Sequence, residues 1–510
     1  MRVHLTGVCG TGMGSLALLF REAGHDVSGS DVRFDPPMGD VLRAGGVTLL
    51  EGYEAGHFAG RPDLVVIGNA IRRDNVEAIA ATDQKLPTVS MSGALREHFL
   101  KGRRPLVVCG THGKTTTSAM CAWILSSAGQ EPGYFIGGVT RNFPRSASNG
   151  AVRRKLASSR DATHEGSRSP TDSKGASGPV LPARAPFVVE GDEYDAVYWH
   201  KQSKFLDYVG VSDDDVAIVT SVEHDHIDIY PDAQAYEDAF RSLARAMPKG
   251  GLVVCDGHDP RAAASMQATS ATVSYYALQG DILDDRPPHW LAAPAMVDDN
   301  GMQQFDLFAG GVSCGRFALP MTGMHNLRNA TAAIAACAEG FGVTMAAARA
   351  ALVAFAGVRR RQELLGEPDG VHVYDDFAHH PTAVDETLRA LRARHPKGAL
   401  WAIFEPRSAT ACRNVHQQAY VGAFGVADRV LLAPLGRTNV PEPERLDIQR
   451  LAVEIGGRAQ AVASVEAMVD LVREGAEPGD TVAILSNGAF GGLHGRVLAA
   501  LASRGPRGTR

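Results

Sequence analysis

The stretch Pro105–Thr117, PLVVCGTHGKTTT, constrains this chain more than any other. Its apolar run, Leu106-Val107-Val108-Cys109, reads as a buried parallel strand and ends in Gly110-Thr111-His112-Gly113-Lys114-Thr115-Thr116. Met120, Trp123, Ile124 and Leu125 then follow at helical spacing. Strand, glycine loop with Lys-Thr, then helix is the arrangement that cradles nucleotide phosphates. Backbone N–H groups and the helix N-terminus face the anion, the lysine reaches the β- and γ-phosphates, and the hydroxyl takes Mg²⁺. The first glycine of the general G-x-x-x-x-G-K-[ST] pattern would fall at Val108, so the loop is a variant. The alternative is a plain glycine turn joining strand to helix.

At 510 residues the chain has room for roughly three domains. Its 45% hydrophobic and 21% charged residues are those of an ordinary globular protein. A net charge of −6 argues against nucleic-acid or membrane-surface partners. The seven cysteines form no C-x-x-C pair, which fits free thiols and gives no zinc signal. The N-terminus runs straight into a strand without a signal peptide, and no apolar run approaches the ~18 residues of a membrane span. A cytoplasmic protein is expected, as a monomer or weak homodimer.

Val3 to Val8 reads as a strand, Gly7 to Gly14 as a glycine-rich turn, and a helix is expected from about Ser15 to Ala23. A second strand, His25 to Ser28, ends at Gly29-Ser30-Asp31, with an acidic residue where a ribose hydroxyl would sit. The glycine spacing is G-x-x-G-x-G rather than G-x-G-x-x-G. Cofactor binding and tight strand-on-helix packing both remain open for it. Leu64 to Ile67 is another buried strand.

Ser146 to Arg184 is rich in Ser, Arg, Ala and Gly with hardly a large apolar residue. Such a segment cannot bury enough surface to offset its ordering entropy, so a disordered insertion is expected. The strand near Phe187-Val188-Val189 runs into Glu190-Gly191-Asp192-Glu193-Tyr194-Asp195. Acidic residues beside a phosphate loop are where a further Mg²⁺ ligand would come from, although a solvated acidic turn is the alternative. Val216 to Val219 leads into Ser221-Val222-Glu223-His224-Asp225-His226-Ile227-Asp228. Lys201 and Lys204 are read as solvated or substrate-facing. Ala277 to Arg316 alternates apolar and polar residues, as peripheral strands do. A helix is expected from Gly323-Met324-His325-Asn326 through Cys337. Strands at His372 to Tyr374, Leu400 to Phe404 and Val482 to Leu485 alternate with helical patterns in the last third. The expected class is therefore α/β in three domains. These are a Rossmann-like domain (1–103), a central P-loop ATPase domain (104–357) carrying the insertion 146–184, and a C-terminal doubly wound α/β domain (358–510).

Several segments resemble one family together. They are HLTGVCGTGMGSLALLFREAGHDVSGSD, the PPM at 36–38, Ala70-Ile71-x-x-Asp74-Asn75, the loop GTHGKTT, SVEHDHID, GMHNLRN and Asp375-Asp376-Phe377-Ala378-His379-His380-Pro381. In this order, over nearly the whole chain, they resemble the Mur ligases; the phosphate-loop variant also occurs in folylpolyglutamate synthetases. The resemblance implies that Gly10, Gly12, Met13, Asp31 and Ala70 bind a UDP-sugar rather than a nicotinamide. It implies that ATP is held by Gly110, Thr111, His112, Gly113, Lys114, Thr115, Thr116, His325, Asn326, Asn329, Arg361, Asp376 and His379. The amides of this set could instead be helix caps. Mg²⁺ would sit on Thr115, Glu190 and His226, with Lys114, Glu190 and His226 catalytic. His226, not His224, matches the family histidine, and Ser221 replaces the family asparagine. Asn142 and Arg407 are expected to contact substrate, Arg407 by gripping a carboxylate with its planar fork; the alternative for Arg407 is that it caps a turn or pairs with Glu405.

The implied reaction is ATP-driven amide formation through an acyl phosphate. Its expected partners are UDP-N-acetylmuramate and the murein tripeptide L-alanyl-γ-D-glutamyl-meso-diaminopimelate, in peptidoglycan recycling. Phe404-Glu405-Pro406-Arg407-Ser408 and Leu485-Ser486-Asn487-Gly488-Ala489-Phe490-Gly491-Gly492 resemble the tripeptide-using branch. Ligation of free L-alanine is the alternative within the family. A Rossmann oxidoreductase and a non-catalytic nucleotide-binding module are the alternatives outside it.

Overall fold

A computed structural model describes residues 1–150, 184–283, 287–298, 300–437 and 439–504. The N-terminal strands are β1 (Arg2–Thr6), β2 (Asp26–Asp31), β3 (Thr48–Glu51), β4 (Leu64–Ile67) and β5 (Thr88–Ser90). All pair in parallel, in the order β3-β2-β1-β4-β5. The helix Thr11–Glu22 buries Leu16, Leu19 and Phe20 in the same apolar cluster as Val3, Leu5 and Val27. Strand β1 stops at Thr6 rather than Val8 because Gly7 takes φ +82°. There the Gly7 and Val8 N–H groups both turn to Ser30 O, at 2.9 and 3.0 Å. A side chain would be strained at this φ. The helix accordingly starts at Thr11, ahead of the expected Ser15, and β2 runs on to carry Asp31.

The central strands are β6 (Arg104–Cys109), β7 (Gly133–Phe135), β8 (Ala147–Ser148), β9 (Pro186–Glu190), β10 (Asp195–Val197), β11 (His200–Ser203) and β12 (Val216–Val219). They continue as β13 (Leu252–Asp256), β14 (Thr272–Leu278), β15 (Trp290–Val297), β16 (Gln303–Ala309) and β17 (Val312–Leu319). Strands β10 and β11 form an antiparallel hairpin. The others make one sheet, β17-β16-β15-β14-β13-β12-β6-β9-β7-β8, parallel from β15 to β7 and antiparallel at both ends. The alternating segment seen in the sequence supplies that antiparallel edge. Because β6 lies between β9 and β12, the loops at their carboxyl ends open side by side, where α/β sheets bind ligands. The alanine-rich helix Met324–Phe341 packs on the helix Lys114–Ser127, with Ala119, Ala122, Ala332 and Ala336 in one buried cluster.

The first residues of the expected insertion are ordered, which corrects its boundary. Ala147 pairs with Phe135 and is buried, Ser146 O accepts from Ile136 N at 2.9 Å, and Ser148 Oγ donates to Glu22 at 2.9 Å. Small residues suffice here because β8 caps a sheet edge and needs backbone pairing more than side-chain bulk. The remainder, 151–183, lies outside the described residues.

The C-terminal strands β18 (Glu363–Gly366), β19 (His372–Asp376), β20 (Leu400–Phe404), β21 (Arg429–Leu432), β22 (Ala459–Ala461) and β23 (Thr481–Leu485) order as β18-β19-β23-β20-β21-β22. Only the edge strand β18 runs antiparallel. The seven cysteines are free thiols. Among the described residues no helix is long and apolar enough to cross a membrane.

Candidate active site

A cleft of about 1910 Å³ opens between the three sheets. Gly10, Gly12, Met13, Asp31 and Ala70 line its N-terminal end. Asp31 is fixed by the Cys9 N–H, which donates to Oδ2 at 2.8 Å, and by Tyr53 Oη at 3.3 Å from Oδ1. The phosphate loop forms the middle of the cleft through Thr111, His112, Gly113, Lys114, Thr115 and Thr116. Gly110 stands behind this wall at φ +127°, where a Cβ would meet Thr220 Oγ1 at 2.1 Å. Gly113, at φ +80°, faces Asn329, whose Oδ1 would lie 2.3 Å from a Cβ. Neither position accommodates a side chain.

Lys114 Nζ donates to Gly110 O at 2.5 Å and to Glu193 Oε1 at 2.8 Å. Burial disfavours the ammonium, but the Glu193 carboxylate outweighs it and holds the lysine above its ordinary range. Thr115 Oγ1 donates to Glu190 Oε1 at 2.8 Å, and Gly137 N donates to Glu190 Oε2 at 2.6 Å. Glu193 Oε2 is buried without a hydrogen-bond partner among the described residues and lies 3.7 Å from His226 Nε2. His226 adopts φ +54°, a left-handed conformation that costs a non-glycine residue on the order of 1 kcal/mol. The turn is held by Ile229 N and Tyr230 N, which donate to His226 O at 2.8 and 2.9 Å.

His325, Asn326 and Asn329 line the cleft from the start of the helix Met324–Phe341. The Asn326 amide donates to Thr322 O at 2.9 Å, so it braces the helix start as well. Arg361, Asp376 and His379 close the cleft from the C-terminal sheet. Asp376 accepts from Gln362 N at 2.7 Å and Ala378 N at 2.8 Å; burial raises its carboxyl, and the Arg361 guanidinium opposes that rise. His379 Nε2 lies 3.9 Å from Asp225 Oδ2, so the C-terminal motif meets the loop that follows β12. Burial would raise the Asp225 carboxyl, but His226 and His379 hold it well below the usual range.

Two expected substrate residues do not line the cleft. Asn142 donates to Ala354 O at 2.9 Å and accepts from Ala356 N at 2.7 Å, tying its loop to the segment leading into the C-terminal sheet. Arg407 pairs with Glu405 at 3.6 Å and lies against Gly436 and Gly488. Lys201 is exposed and pairs with Asp195 at 2.8 Å, whereas Lys204 is buried in the cleft wall against Asp192, also at 2.8 Å. Sequence reasoning singled out Glu190 from the acidic run and missed Glu193. Spacing does not show which carboxylate of the turn reaches the lysine.

Three descriptions of one family match this chain in order. "Mur ligase family, catalytic domain" matches residues 2–103, "Mur ligase middle domain" 200–337, and "Mur ligase, glutamate ligase domain" 360–488. The chain is 36% identical over 505 residues to the UDP-N-acetylmuramate–L-alanyl-γ-D-glutamyl-meso-2,6-diaminoheptandioate ligase of Escherichia coli K12, covering 99% of each. The chain belongs to the Mur ligase family. As a Mur ligase it is an ATP-dependent enzyme of the carbon–nitrogen ligase class. A murein peptide ligase from Psychrobacter arcticus superposes with a TM-score of 0.66 at 33% identity, covering 99% of this Mur ligase and 100% of that chain. A UDP-N-acetylmuramate–L-alanine ligase from Roseiflexus is 32% identical over 505 residues, covering 96% of each.

Proposed function

We propose that this Mur ligase joins the lactyl carboxylate of UDP-N-acetylmuramate to the α-amine of L-alanyl-γ-D-glutamyl-meso-diaminopimelate, in peptidoglycan recycling. The observation that carries the reading is one continuous cleft holding both the N-terminal glycine turn and the phosphate loop, in a chain whose E. coli relative is named for that reaction. The N-terminal turn holds the UDP-sugar, and the phosphate loop holds ATP. The carboxylate attacks the γ-phosphate to give an acyl phosphate and ADP. The tripeptide amine then attacks the acyl carbon, and phosphate leaves.

Lys114 supplies a fixed positive charge where charge is transferred, and the loop's N–H groups orient the phosphates. Asp376 and Arg361 take the ribose and phosphate ends of the nucleotide. Thr115, Glu190 and His226, together with Glu193, offer the oxygen-rich set with an imidazole that suits Mg²⁺; the unpartnered Glu193 Oε2 beside His226 is the observation favouring that fit. When bound, Mg²⁺ neutralises the charge building up on the phosphates. We place the domain limits at 103/104 and 357/358, so that each sheet contributes one wall to a site binding three substrates. A heavy-oxygen label on the lactyl carboxylate tests the chemistry. The reading expects one labelled oxygen in the released phosphate and the other in the amide; loss of label to water, with none in the phosphate, argues against an acyl phosphate.

A further inference from the structure

The motif Asp375–Pro381 carries a histidine that the reading above does not use. His380 is 7% exposed, and neither of its ring nitrogens has a hydrogen-bond partner among the described residues. It does not stand alone. Its Nδ1 lies 3.5 Å from Glu223 Oε2, and His112 Nε2 approaches the same oxygen at 3.3 Å. The ligand atoms of all three residues lie within 4.8 Å of one another. Thr382 Oγ1 fixes the carboxylate by donating to Oε2 at 2.8 Å.

We propose that His112, Glu223 and His380 form a further cation site, for a borderline divalent ion such as Zn²⁺, that bridges the phosphate loop to the C-terminal sheet. Four-coordinate zinc holds imidazole nitrogen and carboxylate oxygen at about 2.0–2.2 Å, which sets neighbouring ligand atoms roughly 3.3–3.5 Å apart. The two measured separations from Glu223 Oε2 match that spacing. Two imidazoles and one carboxylate suit zinc and are poor ligands for Mg²⁺, which takes oxygen. A fourth position remains for water or for His416, whose ring centroid lies 4.6 Å from that of His380 and whose Nε2 is also buried without a partner among the described residues. The ligands come from the phosphate loop, the loop after β12 and the C-terminal motif, so an ion here ties the C-terminal sheet to the nucleotide loop.

The test is a Zn²⁺ titration of the full-length protein in excess Mg²⁺, followed by equilibrium dialysis. The proposal expects one Zn²⁺ per chain, held at least about 10-fold more weakly by His380→Ala and by Glu223→Gln. Co²⁺ added to the wild type should give the visible spectrum of a four-coordinate ion without a thiolate charge-transfer band, a readout that needs no variant to fold. Absence of stoichiometric binding above the Mg²⁺ background overturns the site. So does binding that survives both substitutions. A thiolate band would place the ion on a cysteine and overturn it equally, and His112-Glu223-His380 would then be a polar cluster only.

Discussion

The Lys114 ammonium donates to Glu193 Oε1 at 2.8 Å, with the carboxylate buried and the lysine side chain 14% exposed in the cleft wall. The pair keeps a positive charge at the phosphate loop largely shielded from bulk water, which would screen its field. Lys114→Ala should lower kcat by about 10²-fold or more, because it removes the cation placed to follow the γ-phosphate. Binding of UDP-N-acetylmuramate, measured by calorimetry, should be unchanged, since the residues proposed to hold it line the other end of the cleft. Near-normal turnover in this variant would remove Lys114 from the mechanism.

Glu193→Gln keeps the shape of the side chain and removes its charge. If Glu193 shares Mg²⁺ with His226, the apparent Mg²⁺ requirement should rise by about 10-fold while the KM for UDP-N-acetylmuramate stays put. A Mg²⁺ titration of phosphate release decides it. An unchanged Mg²⁺ requirement would confine Glu193 to its pair with Lys114.

Much of this site was legible because it rests on short-range pattern. Strand β12 (Val216–Val219) and strand β20 (Leu400–Phe404) fall where their apolar runs lie, and the phosphate loop reads directly from its glycines and Lys-Thr. What escaped depends on long-range placement. Glu190 and Glu193 are three residues apart in one acidic run, yet one meets Thr115 and the other Lys114. Only the path of the turn separates those roles. Asn142 and Arg407 stand outside the cleft, Asn142 tied to Ala354 and Ala356 and Arg407 paired with Glu405, and spacing alone does not show these contacts. The strand Ala147–Ser148 was invisible because its pairing, not its side chains, orders it.

That strand gives a prediction that divides the expected insertion in two. Replacing 151–183 with a short Gly-Ser linker should leave Tm and kcat almost unchanged, because Val152, Leu156, Val180 and Leu181 are the only large apolar residues in that sequence. Extending the replacement through 146–150 should cost about 1–3 kcal/mol. It removes buried Ala147, the Ser148–Glu22 hydrogen bond and the Arg103–Asn149 contacts at 2.6 and 2.7 Å. Differential scanning calorimetry separates the two variants. Equal Tm values would deny β8 a structural role.

His395 offers a pH prediction. Burial, with His372 and Arg394 nearby and opposed by Glu367, lowers its pKa from 6.5 to about 4. Its ring stacks on His372 at 4.2 Å, and its Nε2 lies 2.8 Å from Tyr374 Oη. The unfolded chain takes up this proton first, so the stabilisation is intact above pH 6.5 and is lost as the pH falls toward 4. The ring is partly exposed, so the loss should be only about 1–2 kcal/mol. His395→Gln should flatten the dependence of Tm on pH within that window. Parallel curves for wild type and variant would assign the acid sensitivity to other groups.

The central claim is the pairing of acceptor and donor in one cleft, and acceptor choice tests it most directly. The measurement is ATP-dependent phosphate release with saturating UDP-N-acetylmuramate, comparing L-alanyl-γ-D-glutamyl-meso-diaminopimelate with free L-alanine. The account predicts a kcat/KM at least about 10²-fold higher for the tripeptide, a difference of about 2.7 kcal/mol in the transition state. A preference for free L-alanine would contradict it and place this Mur ligase in the biosynthetic branch.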